Sequence, residues 1–344
     1  IIHESGHFIF AKKFGVKVEE FGIGYPPRLF GKKFGGTLYS VNLLPFGAFV
    51  RLPGEIGSSM EEGSFSSKPA WQRALIVAGG VFSFWIIAII LLSIVMAIGA
   101  PTAIRDDETG ANLKNPKVQI IAVVKGSPAE MAGLKVGDTI KELKWQTSIV
   151  PIKKVKEVQD LTETHKGDEI VLKIERGRDV IDITLTPRVS PPEGEGAMGI
   201  GLARTAIKSY PWYLAPLQGI LATKDLTLLL IEGWGQALAK IFQGQPSGAQ
   251  ITGPIGIFNL FTQVSQLGLN YFLQFIAIIA VNLALFNLLP IPAVDGGKLM
   301  FLGLEVLRKK PIPEKVEQNV TAVFFAILIL LLVFVTIQDI QRLF

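Results

Sequence analysis

Hydrophobic and polar positions fall in long blocks along this 344-residue chain. Ala74 to Ala100 contains no charged residue and stops at Pro101. Phe272 to Leu289 runs apolar into Pro290-Ile291-Pro292, and a further apolar run extends from Asn319 to Ile337. Each is close to the roughly 20 residues that cross a bilayer core. They predict transmembrane helices at residues 71–100, 270–297 and 318–338. The apolar start, residues 1–14, closes on Lys12-Lys13 and has about half the ~20 residues a span needs. With no initiator Met, it reads as an N-terminally truncated first transmembrane helix.

Other patterns separate these blocks. Residues 15–70 hold no span, and β-prone runs flank Pro45-Phe46-Gly47, predicting a hairpin over Gly36–Leu52 that turns there. Its aromatic residues Tyr39, Phe46 and Phe49 would rest on membrane lipid. Lys17, Arg28, Lys32, Lys33, Arg51 and Lys68 place this loop in the cytoplasm, as Arg308-Lys309-Lys310 place a later one. From Asn115 to Pro187 charges alternate with β-branched runs such as Val118–Val124 and Ile170–Ile174. This predicts a mostly-β module, residues 115–204, on the membrane side opposite the basic loops. Residues 210–256 mix Trp212, Tyr213 and Trp234 with Lys224, Asp225, Glu232 and Lys240, predicting interfacial amphipathic helices and a loop.

Composition sharpens this only slightly. Hydrophobic residues make up 49% of the chain, consistent with membrane segments plus a polar module. A net charge of +5, partly in two loops, leaves no nucleic-acid footprint. With no cysteine, disulfides and thiolate metal sites are excluded, so a metal here needs His and carboxylate ligands.

The candidate chemistry begins at His3-Glu4-Ser5-Gly6-His7. On a helix His3 and His7 share one face and can grip one zinc ion, with Glu4 beside the open position as general base. The alternative is two ordinary surface histidines. His165, between Thr164 and Lys166, belongs to a surface turn. Asp295 is the better third ligand: it follows a long uncharged stretch at the broken end of a span, where a lone carboxylate is costly. The competing reading is an interfacial cap. Asn282 and Asn287 either hold substrate backbone or an oxyanion, or bond between helices. Gly79, Gly80 and Ser83 are small enough to admit another helix closely.

These motifs resemble the site-2 protease family of intramembrane zinc metalloproteases, in the bacterial group that includes the regulator-of-sigma-E protease. His3–His7 matches its zinc motif, Asn287–Gly296 its second motif, Pro45–Arg51 its membrane hairpin and Gly126–Asp138 a PDZ signature. The resemblance implies a polytopic α-helical membrane protein of four core spans with an inserted PDZ domain. It further implies Zn2+ on His3, His7 and Asp295, Glu4 as base, and substrate contacts at Asn282, Asn287, Phe46, Gly47 and Phe49. A permuted PDZ peptide loop would include Met198, Gly199 and Ile200. Substrates would be single-pass membrane proteins such as anti-sigma factors, first cut by a site-1-type protease. The setting would be the bacterial cytoplasmic membrane, with the site near the cytoplasm and the PDZ domain outside it. The chain departs from many relatives at Gly79-Gly80, Ser83 and Val294, and shows one PDZ signature.

Two rivals remain distinct. A protease-free PDZ scaffold predicts binding indifferent to Glu4→Gln and His7→Ala. A membrane-surface zinc peptidase predicts cuts outside the substrate's span.

Overall fold

The computed structural model describes residues 1–55, 61–109, 113–177, 179–192, 194–244 and 252–343, with the side chains of Phe46, Arg342 and Leu343 excepted. In chain order the elements are α1 (Ile2–Lys13), β1 (Glu20–Phe34), β2 (Thr37–Arg51), α2 (Ala70–Ile98), β3 (Ala100–Ile104) and β4 (Leu113–Val123). There follow α3 (Pro128–Met131), β5 (Thr139–Trp145), β6 (Ser148–Pro151), α4 (Val155–Thr164), β7 (Ile170–Arg176), β8 (Asp179–Leu185) and β9 (Ile200–Lys208). The remainder is helical: α5 (Ala215–Phe242), α6 (Pro254–Leu267), α7 (Leu269–Leu288), α8 (Asp295–Arg308) and α9 (Glu314–Leu343). They form two compact units, one of residues 1–92, 219–260 and 275–344, the other of residues 93–218 and 261–274.

In the first unit, three described helices are long and apolar enough to cross a membrane: α2, α7 and α9. The 12-residue α1 is not among them, so the described spans number three where the sequence suggested four. Helix α1 crosses α2 at glycines. A Cβ on Gly79 would lie 2.6 Å from the Phe10 ring and 2.8 Å from the Gly6 carbonyl oxygen. That close backbone approach is the usual gain from small residues between membrane helices. Ala11, Val16, Val18, Leu52, Phe65, Ile76 and Val77 bury together beside this crossing.

One expectation needs correction here. Pro45-Phe46-Gly47 does not close the hairpin. The tight turn is Gly35-Gly36, with φ of 56° and 81°, the two positive values that a two-residue hairpin loop favours. Residues 20–23 then lie between two parts of β2: Glu20 faces both Leu38 and Arg51, and Ile23 faces both Val41 and Ala48. The Pro45–Gly47 bend carries β2 past that central segment; Pro45 has no N–H to donate to a ladder. Helix α5 forms within the segment expected to hold interfacial amphipathic helices. Ala222, Leu226, Leu230 and Trp234, spaced four residues apart, pack it against Ala88 and Leu92 of α2 and Ala277 and Val281 of α7. Part of the expected loop, residues 245–251, lies outside the described residues, and α6 starts at Pro254 within the predicted segment.

The second unit is built on a seven-stranded sheet in the order β3-β9-β4-β5-β7-β8, with β6 on β5. Its boundary begins earlier than residue 115, because β3 pairs with β9 from Ala100 opposite Lys208 to Ile104 opposite Arg204. Alternate β7 residues Ile170, Leu172 and Ile174 are fully buried with Val118, Ile140, Leu143 and Val158, as expected of a strand with one face on a core. Asp138, 1% exposed, accepts from Arg176 Nε at 2.8 Å and Nη2 at 2.7 Å and from the Lys135 N–H at 2.8 Å. A buried carboxylate thereby ties the turn before β5 to β7.

Candidate metal centre

Helix α1 presents His3 and His7 four residues apart, so both rings project from one face. Their centroids lie 4.7 Å apart, and the His3 ring stacks on Phe84 at 5.0 Å. His7 Nδ1 is 2.9 Å from the Ile76 carbonyl oxygen. Since a carbonyl only accepts, Nδ1 carries the proton, and neutral His7 presents a bare Nε2 lone pair. Glu4 is half-buried beside them on the same helix.

The third group arrives from the far end of the first unit. Pro290 and Pro292 follow α7, and a short turn (Val294 N–H to Ile291 oxygen, 3.0 Å) delivers Asp295 as the first residue of α8. Gly296 and Gly297 permit that turn. A Cβ on either would run into the carbonyl oxygens of Leu289 or Ile291. Asp295 is 7% exposed.

The donor atoms converge. His3 Nε2 lies 3.2 Å from His7 Nε2, and Asp295 Oδ2 lies 3.2 Å and 3.3 Å from them. A tetrahedral ion with ligand bonds of about 2.0 Å has ligand–ligand edges of about 3.3 Å, so the triangle matches one face of such a site. Asp295 Oδ2 is buried with no hydrogen-bond partner, a costly state for an oxygen unless a cation satisfies it. No other His, Asp or Glu group among the described residues forms such a cluster. The residues therefore fit a divalent ion with nitrogen and oxygen ligands.

Other sequence candidates fall less simply. Asn282 Nδ2 donates to the Ile278 oxygen at 3.0 Å and Asn287 Nδ2 to the Leu283 oxygen at 2.8 Å, both within α7. Neither bond joins two helices, and both amide oxygens stay clear of these pairs. The Phe49 ring stacks on Tyr25 at 5.9 Å, and a Cβ on Gly22 would meet it. Gly47 takes a positive φ of 82° beside Tyr25; the Phe46 side chain lies outside the described residues. In the second unit, Met198, Gly199 and Ile200 wall a groove of about 160 Å³ against Val158 and Thr162 of α4. Met198 is 4% exposed and its oxygen accepts the Ala129 N–H at 3.1 Å. Gly199 has a φ of 73° and sits against Ser127.

Sequence reasoning missed the centre's supports. Gly80 reads as a helix-packing residue, yet a Cβ there would strike His7 Nε2 and approach His3 Cε1 to 2.7 Å. The Ile76 carbonyl and Phe84 also escaped notice. Their only signal is their position in α2 within a few residues of Gly79-Gly80.

The profile of Peptidase family M50 matches residues 1–331. A Clostridium perfringens relative is 33% identical over 344 residues, spanning 99% of this chain and 94% of its own. The Bacillus subtilis regulator of sigma-W protease RasP is 28% identical, with 99% of this chain and 95% of that protein covered. The zinc metalloprotease RasP of Oceanobacillus iheyensis is 27% identical, with 100% and 96% covered. Among solved structures, the PDZ domain of an SdrC-like protein from Listeria monocytogenes matches 28% of this chain and 92% of that chain at 21% identity, with a TM-score of 0.22. The chain belongs to peptidase family M50, the site-2 protease family, and is a zinc metalloprotease.

Proposed function

We propose that this metalloprotease hydrolyses peptide bonds inside the membrane-spanning segments of single-pass membrane proteins, with His3, His7 and Asp295 holding zinc and Glu4 as general base. The observation that carries the reading is the triangle of donors with edges of 3.2–3.3 Å, its carboxylate delivered between the apolar helices α7 and α9. When bound, zinc polarises the scissile carbonyl and acidifies water towards neutrality. Glu4 takes the proton from the attacking water and returns it to the leaving amine. The Ile76 carbonyl holds His7 in its ligating tautomer. Asn282 and Asn287 position the substrate backbone through the amide oxygens left clear of their helix bonds.

A helical peptide bond is shielded, so the substrate unwinds before attack. Residues 48–51 pair with 20–23 and, among the described residues, with no other strand. Their outer edge is where an unwound segment adds as a strand beside Gly47 and Phe49. The β module acts as a PDZ domain whose groove, at Met198, Gly199 and Ile200, meets substrate ends exposed by a preceding site-1-type cut. The basic loops favour a cytoplasmic position for residues 15–70 and an extracytoplasmic one for the module, in a bacterial cytoplasmic membrane. Anti-sigma factors are the substrate class that the RasP relative's name suggests.

The test is a cleavage map. The protein is reconstituted with a single-pass membrane protein, and products are read by mass spectrometry against the Glu4→Gln form. Cuts within the apolar segment, absent in the variant, are expected. Cuts confined to the flanks would replace this reading with a membrane-surface peptidase.

A further inference from the structure

One charged cavity of the first unit has no part in the proposed reaction. It encloses about 380 Å³, and its ionisable walls are Glu55, Arg73, Lys298, Glu305, Glu314 and Glu317. Both cations already have partners. Arg73 meets Glu305 through two bonds of 2.6 and 3.0 Å, and Lys298 meets Glu55 at 2.5 Å. Four carboxylates thus face two cations, an excess of two negative charges. Glu314 accepts from Gln318 Nε2 at 2.8 Å. Neither it nor Glu317 forms an ion pair among the described residues. Phe65, Phe301 and Leu302 supply apolar wall between these charges.

Its position gives the cavity a meaning. Lys298 follows Asp295 by three residues on α8, about 4.5 Å of helix rise. The cavity therefore opens one turn from the metal centre. Arg73 sits in the first turn of α2, and Glu314 and Glu317 in the first turn of α9, directly after Arg308-Lys309-Lys310. These are the helix ends that the basic loops mark as cytoplasmic. The same rule applies to any substrate: the cytoplasmic flank of a single-pass segment is enriched in Lys and Arg. A lysine or arginine entering here lays its alkyl stem on the Phe65, Phe301 and Leu302 surface and its charge between the carboxylates of Glu314 and Glu317.

We propose that this cavity is a specificity subsite that receives a Lys or Arg side chain from the cytoplasmic flank of the substrate's spanning segment, with Glu314 and Glu317 as its charge partners. The proposal rests on the intramembrane reading above and names what that site selects. Its test reads binding, so that it stands apart from cleavage. Glu4→Gln protein in lipid nanodiscs is titrated with a fluorescent single-pass segment carrying a Lys-Lys or a Glu-Glu cytoplasmic flank. The Lys-Lys form should bind about tenfold more tightly. Adding Glu314→Gln with Glu317→Gln should reduce that ratio to about twofold or less, and Glu314→Lys with Glu317→Lys should invert it. Bound zinc reports that each variant is folded. For any variant that loses zinc, a single Lys is moved along the flank against the otherwise unchanged protein, and one preferred position is expected. The proposal is overturned if the ratio survives in the double glutamine variant, if the scan is flat, or if the ratio vanishes on replacing anionic with neutral lipid, which would assign the preference to the membrane surface. Failure of the intramembrane reading shows separately, as absent cleavage by protein with Glu4 intact.

Discussion

Gly80 of α2 faces the His7 imidazole so closely that no side chain fits between them: a Cβ there would collide with Nε2, the ring nitrogen that faces Asp295. Overpacking of this kind costs about 1–3 kcal/mol, or roughly fivefold to 150-fold in metal affinity if the ring is displaced. Gly80→Ala should therefore weaken zinc binding by that factor in a competition titration with a chromophoric chelator. The chain should keep its helical circular dichroism, because α2 tolerates alanine elsewhere. Wild-type affinity in this variant would mean that the imidazoles do not hold the ion in the arrangement described.

Removing a donor should act differently from removing the base. Asp295→Ala takes away the only carboxylate in the cluster and should lower zinc affinity by more than ~100-fold, beyond what a lost supporting bond costs. Glu4→Gln leaves all three donors in place. It should retain one zinc per chain while activity falls by about 10²–10⁴, the usual contribution of general base catalysis. Elemental analysis beside a cleavage assay separates the two. Equal zinc loss in both variants would assign Glu4 to the ligand set.

Much of this centre is legible in the chain itself, for physical reasons. His3 and His7 declare themselves because helix periodicity converts a spacing of four into a shared face. Asp295 declares itself because a carboxylate among apolar runs is expensive without a partner. The supports of the site are silent by comparison. The Ile76 carbonyl has no side-chain signature, and Gly80 looks like any small residue at a helix crossing until both helices are in place. The hairpin turn was misread because Pro-Phe-Gly resembles a turn locally, whereas Gly35-Gly36, with both φ values positive, satisfies the tighter backbone demand. In α5 four charges interrupt the apolar pattern, and its stripe shows only once Ala222, Leu226, Leu230 and Trp234 are wound onto one side.

The strand-addition step makes a prediction specific to one edge. Phe49 pairs with Gly22 on its inner side, so Phe49→Pro removes an N–H from the outer strand while the Gly35-Gly36 turn and the metal donors stay intact. Cleavage of a membrane substrate should fall about tenfold, the value of roughly one hydrogen bond to the backbone, with zinc content unchanged. Val41→Pro should do more damage, since Val41 lies opposite both Ile23 and Phe30 and a proline there breaks an interior ladder. Equal, unaltered turnover by both variants in a reconstituted assay would remove the hairpin from the reaction.

The second unit has its own point of vulnerability. Asp138 is 1% exposed and satisfies both Arg176 and the Lys135 N–H, while Arg176 also donates to the Gly133 oxygen at 2.7 Å. The carboxylate raises the Arg176 guanidinium above its ordinary value through a hydrogen bond, so the guanidinium keeps its charge. Asp138→Ala leaves the Lys135 N–H without its acceptor and the guanidinium with the Gly133 oxygen alone, a loss of about 3–5 kcal/mol for a buried pair, towards the lower end because Arg176 is one-third exposed. Hydrogen exchange on the full chain should then accelerate in β5 and β7, which the pair joins, by about a hundredfold. Exchange in α1 and α8, whose metal donors belong to the other unit, should be unchanged. Acceleration spread evenly over both units would mean that they unfold as one cooperative body, and that Asp138 serves the whole chain rather than its β module alone.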